Sequence, residues 1–359
     1  MFKSISIKNF RWIKDLEVKN LKKINFFVWE NWTWKTTILD ALYMAINPGN
    51  AGLSIKTNIF RNIGFRAWNA ANFWKSFFRN YDESVSITLD VDYDKWERQL
   101  SIHPLFWGAD IILSDNWKNV SVPISNLDKK IIGLKIEALV NWETYKGTVQ
   151  QVDTDPNTIT STTPDNYKPD MNWHYLNNMT FTAPDVIADR FDSVLKLKKK
   201  RDVVNLLNNF FPTIEDIGFN QFKEVYVADQ KYPELVHINT YGDWLVKAFH
   251  IMCNIIADES DIALFDEIEN WLHTRSQSLI RSSILPLVKE KETQLFVTSH
   301  SYEMIRNLYS TLKDLNDTDF NIEEYIWVYR VEKRDDEHVI ISYSFDELEY
   351  AMESGDEIR

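Results

Sequence analysis

The stretch "FFVWENWTWKTTILDAL", Phe26 to Leu42, constrains the fold more than any other. An apolar strand runs into a short loop, then Lys-Thr-Thr, then a helix of good formers. That order is the layout of a phosphate-binding P-loop, G-x-x-x-x-G-K-[ST], and the chain matches it everywhere except at the glycines, where Trp29 and Trp34 stand. Lys35 is placed to reach the β- and γ-phosphates of a nucleoside triphosphate, and the Thr36 hydroxyl to reach Mg²⁺. The loop residues Trp29, Glu30, Asn31, Trp32 and Thr33, with Trp34 to Thr37 opening the helix, would surround the anion. Backbone amides at that helix start would cradle it.

Three downstream segments fit the same chemistry. "DIALFDEIE" is an apolar strand ending in two carboxylates, the Walker B layout. Asp266 would hold Mg²⁺ through water, and Glu267 would polarise the attacking water. "VTSHS", Val297 to Ser301, ends the next strand with His300, within reach of a γ-phosphate or its water. "TYGDWLVKAFHI" places Gly242 and Asp243 at the opening of a long apolar helix.

Taken in order, these segments resemble the ATP-binding heads of the ABC and SMC class, and most closely the compact OLD-like bacterial ATPases. Typical stretches of that family are "GENGTGKTT", "GDGL", "DEIENGLH" and "TTHS"; this chain has "WENWTWKTT", "GDWL", "DEIENWLH" and "TSHS". The likeness extends to "ISIKNFRWIKDLEV" at the start and "FDELEYAMESGDEIR" at the end, covering residues 1–50 and 180–359.

The resemblance implies an α/β P-loop NTPase, an ABC-type ATPase head with a mainly parallel sheet and a β-rich insertion. It implies ATP and Mg²⁺ as ligands and Glu267 and His300 as the catalytic pair, His300 as the histidine switch. Gly242 and Asp243 would be the signature that meets the γ-phosphate bound by an opposite subunit. The implied assembly is a self-associated, head-to-tail dimer or larger oligomer. Such heads gate or drive a separate effector, such as a nuclease, in antiphage defence or DNA processing. No nuclease motif is present here. Two alternatives stand beside this reading: a RecF-like DNA-repair ATPase, and a catalytically dead scaffold whose P-loop has been lost.

The remainder of the chain divides accordingly. Residues 1–50 read as the first part of the head, two strands "FKSISIKNF" and "INFFV" with "KDLEV" between them, then the P-loop. Residues 51–179 read as a β-rich insertion of period-two strands and polar turns. Residues 180–359 return to strands alternating with helices, including a single periodic run from Asp185 to Phe211. Net charge is −13, which argues against nonspecific coating of DNA. The one basic cluster, "KLKKKR" at Lys196–Arg201, reads either as the solvated face of a helix or as a contact for nucleic acid or an acidic partner. The single cysteine, Cys253, excludes an internal disulfide and reads as a buried thiol. No apolar run reaches membrane-spanning length and no signal peptide opens the chain, so it reads as a soluble cytoplasmic protein.

The tryptophans need their own explanation. The chain holds 14 Trp and 9 Gly, where average usage would give roughly 25 glycines. Trp12, Trp29, Trp32, Trp34, Trp244 and Trp271 all stand where the resembled family has glycine, and Trp117 follows the turn-forming pair Asp115-Asn116. Drift would have left alanine, serine or asparagine at some of them. One residue type throughout points to a single cause: deliberate substitution, an error in the recorded sequence, or recoding. Taken literally, three indoles would fill the place of the phosphate, because P-loop glycines adopt backbone angles that a Cβ penalises.

Overall fold

The computed structural model describes residues 1–28, 34–93, 96–107, 130–177, 184–257, 261–267, 293–299, 301, 304–306, 309–310, 313, 325–335 and 337–354. Of residues 34, 35, 96, 184–186, 243, 244 and 255 it describes the backbone.

Three strands open the chain, β1 (Phe2–Phe10), β2 (Ile13–Val18) and β3 (Ile24–Val28), followed by helices α1 (Trp34–Ile46), α2 (Gly52–Phe60) and α3 (Ala70–Lys75). Next come β4 (Ile87–Tyr93), β5 (Trp96–Phe106), β6 (Ile131–Val140), β7 (Glu143–Gln151), β8 (Ile159–Thr162) and β9 (Trp173–Leu176). Helices α4 (Pro184–Lys196) and α5 (Lys200–Asn208) precede the short strands β10 (Ile214–Phe219), β11 (Val225–Asp229) and β12 (Val236–His237). The chain continues through α6 (Asp243–Ala257), β13 (Ile262–Phe265), β14 (Gln294–Ser299), β15 (Ile326–Arg334), β16 (Glu337–Tyr343) and α7 (Phe345–Ser354).

Two large sheets carry the architecture. The first has the order β16-β15-β3-β14-β13-β9. Its inner pairings are parallel, and β16 joins antiparallel at one edge. The second has the order β2-β1-β4-β5-β6-β7-β8 and is antiparallel throughout. A mainly parallel sheet therefore describes the six-stranded sheet alone; across the whole chain the pairing is mixed.

Strand β3 shows how the layers are set. All five of its residues are buried, as expected of a strand covered on both faces. Successive side chains point to opposite faces. Ile24, Phe26 and Val28 enter one core with α4, α5 and α6, while Phe27 enters the other with α1 and the antiparallel sheet. The same alternation runs through β13 and β14. Helix α1 is thus sandwiched between the two sheets, and every residue from Ile38 to Ile46 is buried. Gln294 ties the sheets together: its amide donates to the carbonyls of Phe2 and Lys22 and its Oε1 accepts from the Phe2 N–H.

Several expectations need correction. "KDLEV" lies within a strand, β2, because its buried Ile13, Leu16 and Val18 cover the same core as β1. Within residues 51–179, β4 to β8 share a sheet with β1 and β2, and β9 pairs in the parallel sheet. That stretch also holds α2 and α3. The single periodic run after residue 184 breaks into α4 and α5 at Leu197–Lys199, where Lys198 takes a positive φ of 59°. The basic cluster sits across that break, with Leu197 half-exposed. Cys253 is buried in α6, and burial pushes its thiol well above the usual range. Among the described residues no helix is long and apolar enough to cross a membrane.

Candidate active site

Strands β3, β14 and β13 are adjacent and parallel, so their carboxyl ends share one edge of the sheet. The residues that follow those ends are the ones the sequence singles out. Thr36, in the first turn of α1, donates its hydroxyl toward Asp266, 3.1 Å from Oδ2 and 3.3 Å from Oδ1. Asp266 follows β13 directly, and its N–H bonds the Leu176 carbonyl at 2.9 Å. Thr36 and Asp266 lie 230 residues apart in sequence and meet here.

A third residue completes the junction, and sequence reasoning missed it. Thr298 of β14 donates its hydroxyl to Asp266 Oδ1 at 2.7 Å and accepts the Glu267 N–H at 2.8 Å. One hydroxyl thereby fixes both members of the Asp-Glu pair. Glu267 is held at a positive φ of 52°, a conformation kept only where the surroundings enforce it. The available signal was a polar Thr298 within "QLFVTS", a strand otherwise read as an apolar run.

Burial sets the electrostatics. Asp266 is pushed up from 3.8 to about 6, chiefly by burial, with the charges of Glu267 and Asp40 adding and the Thr298 and Thr36 hydroxyls opposing. Asp40, one turn along α1, is fully buried and accepts from Arg61 Nε at 2.7 Å and from the Tyr175 hydroxyl at 3.3 Å. Arg61 also donates to Thr37 Oγ1 at 2.9 Å. Arg11 lies 3.3 Å from the same Asp40 carboxylate and is lowered to about 9, first by burial and then by the charge of Arg61. For Arg61 burial pulls downward, but the charge and hydrogen bond of Asp40 prevail and raise it.

The donor set suits Mg²⁺. Asp266 and Thr36 offer hard oxygens, and a raised carboxylate among Asp40 and Glu267 is one that a cation would relieve. Among the described residues no three His, Cys, Asp or Glu side chains make a metal cage by themselves. Mg²⁺ rarely takes such cages and prefers one or two protein ligands with water and phosphate oxygens.

Other expected site residues are placed less fully. Lys35 precedes Thr36 in the first turn of α1, and Trp34 opens that helix. Asp243 is the first residue of α6, preceded by an exposed Gly242 at φ +87°. A Cβ there would meet nothing within 4 Å, so backbone conformation, not space, calls for glycine. Trp29, Glu30, Asn31, Trp32, Thr33, Trp271 and His300 lie outside the described residues.

An SMC head domain, solved bound to the C-winged helix domain of ScpA, superposes on 96% of this chain and 98% of its own with a TM-score of 0.50 at 13% identity. The chain has the fold of an SMC head. No family model matches it. Over the full length of both chains it is 23% identical to an ATP/GTP phosphatase of Helicobacter pylori (strain ATCC 700392 / 26695). It is also 21% identical, over 61% of its length and 90% of the relative's, to the uncharacterized protein MJECL10 of Methanocaldococcus jannaschii.

Proposed function

We propose that the protein binds ATP with Mg²⁺ at the start of α1 and hydrolyses it. The observation that carries the reading is the convergence of Thr36 of α1, Asp266 after β13 and Thr298 of β14. The name of the full-length relative, ATP/GTP phosphatase, supports it.

In this reading Lys35 pairs with the β- and γ-phosphates, and α1 turns its first amides toward them. Thr36 and Asp266 would hold Mg²⁺, which would supply positive charge against the phosphate oxygens. Glu267 orients the attacking water and accepts its proton, while Thr298 holds the Glu267 backbone and the Asp266 carboxylate in register. His300, the residue after β14 in sequence, is assigned by the resemblance to the same water or the γ-phosphate. Gly242 and Asp243 serve the nucleotide of a second copy, making the protein a head-to-tail dimer or larger assembly. The SMC head of like fold binds a domain of a separate protein, ScpA, which supports a separate effector here. By the OLD-like resemblance that effector is a nuclease or toxin, gated in antiphage defence.

The test uses the chain carrying Trp29→Gly, Trp32→Gly, Trp34→Gly and Trp244→Gly, since indoles in the loop would block the phosphates. Mg²⁺-dependent phosphate release is expected. Adding Glu267→Gln should slow turnover by about 10²-fold or more while leaving ATP bound. Lys35→Ala should instead weaken ATP binding itself. Binding and phosphate release measured on the three chains decide the matter; no release from the first would overturn the proposal.

A further inference from the structure

The β6–β7 hairpin turns on two residues, Asn141 and Trp142, between the paired Val140 and Glu143. Both have positive φ, 53° and 69°. That is the signature of a type I′ turn, for which Asn-Gly is the favoured pair. Asparagine tolerates this region, whereas a bulky side chain there is an outlier. The Trp142 side chain is 83% exposed, so no core packing offsets the strain.

Trp12 lies in another two-residue hairpin loop, between Phe10 and Ile13, where the positive φ falls on Arg11 beside it. A second population is different in kind. Trp74 is fully buried and edge-on to Phe73, with ring centroids 4.9 Å apart. Trp173 packs edge-on against Tyr43 at 4.8 Å, and Trp327 carries the Lys22 ammonium over its ring. These three use the indole. Trp142 stands instead where the turn's backbone calls for glycine, and Trp29, Trp32 and Trp34 where the resembled family's phosphate loop has it.

We infer that Trp142, with Trp12, Trp29, Trp32, Trp34, Trp244 and Trp271, marks codons that the cell of origin reads as glycine. UGA, a stop triplet in the standard code, is read as tryptophan in some genetic codes and as glycine in others, whereas UGG specifies tryptophan. One reassigned triplet explains why glycine is scarce, why tryptophan is in excess, and why a single residue type fills all these positions. The protein made in that cell then has an Asn-Gly hairpin at β6–β7 and a glycine-built phosphate loop before α1. For the loop positions this rests on the nucleotide-binding reading; for Trp142 it rests on backbone geometry alone.

Sequencing the gene is the direct test. UGA is expected at the seven positions and UGG at Trp74, Trp173 and Trp327; UGG at Trp142 or in the loop would overturn the inference. Peptide mass spectrometry of the protein from its own cells should show glycine at residue 142, and an intact indole there would equally overturn it. In recombinant full-length protein, Trp142→Gly should raise Tm by about 2 °C, whereas Trp74→Gly should lower it. A fall in Tm with Trp142→Gly would count against the inference. These readouts do not involve nucleotide. UGA codons and a stabilised hairpin, together with no ATP binding by the glycine loop, would uphold the recoding and overturn the ATPase reading instead.

Discussion

At the scale of single residues, Asp266 carries the largest consequence. Its carboxyl is raised from 3.8 to about 6, mainly by burial. A carboxyl raised in the fold contributes stability below the unfolded value, and that contribution is lost as pH climbs through the folded value. In metal-free solution the chain should therefore lose about 3 kcal/mol from this site between pH 4 and pH 6 or slightly above. Asp266→Asn removes the titration, so urea melts with EDTA should show the variant more stable than the parent at pH 7 and the two converging near pH 4. A parent whose stability is flat across that window would show that Asp266 is not desolvated as the structure has it. A residue that weakens its own fold at neutral pH suits the cation-holding role proposed for it.

At the scale of elements, the contact between α1 and α2 turns on one side chain. Arg61, just past the end of α2, reaches the buried Asp40 and Thr37 of α1 with two separate nitrogens. It braces the first turns of α1, including the turn that carries Thr36. Removing one partner of a buried pair leaves the other charged and unpaired. Arg61→Met should cost about 3–5 kcal/mol in denaturant melts, and Arg61→Lys, which keeps the charge but loses the fork, should cost less. Equal stability of Arg61→Met and parent would show that Asp40 finds a replacement among Arg11 and Tyr175.

The same elements show what a sequence can reveal. β3, β13 and β14 were legible because strands buried on both faces read as unbroken apolar runs, and α6 because a fifteen-residue apolar helix has few rivals. Asp266 and Glu267 were legible because they end such a strand. Arg61, Asp40, Tyr175 and Thr298 were not, because their meaning lies in contacts between segments far apart in the chain, up to 135 residues for Tyr175 and Asp40. Strand β2 was hidden by its charged outward face, and the three-stranded β10–β12 sheet by its short strands. The break between α4 and α5 was masked by a continuous helical period on either side of Lys198.

At the scale of the molecule, α1 and α6 cover opposite faces of the six-stranded sheet, one in each hydrophobic core. The start of α1 is where the proposed ATP sits; in the same proposal the start of α6, preceded by the exposed Gly242, serves the nucleotide of a second copy. Two copies placed head to tail would bring one chain's α6 to the other's nucleotide, giving each site donors that neither chain supplies alone. The chain with glycine at 29, 32, 34 and 244 and with Glu267→Gln, which should hold ATP without consuming it, is expected to double its mass in sedimentation when ATP and Mg²⁺ are added. Gly242→Asp on that background should keep the chain monomeric, because a further carboxylate would face the partner's phosphates and a side chain is strained at φ +87°, while changing ATP affinity of the monomer less than about threefold. A monomer under both conditions, with ATP demonstrably bound, would mean that hydrolysis is completed within one chain and that the α6 start serves some other contact.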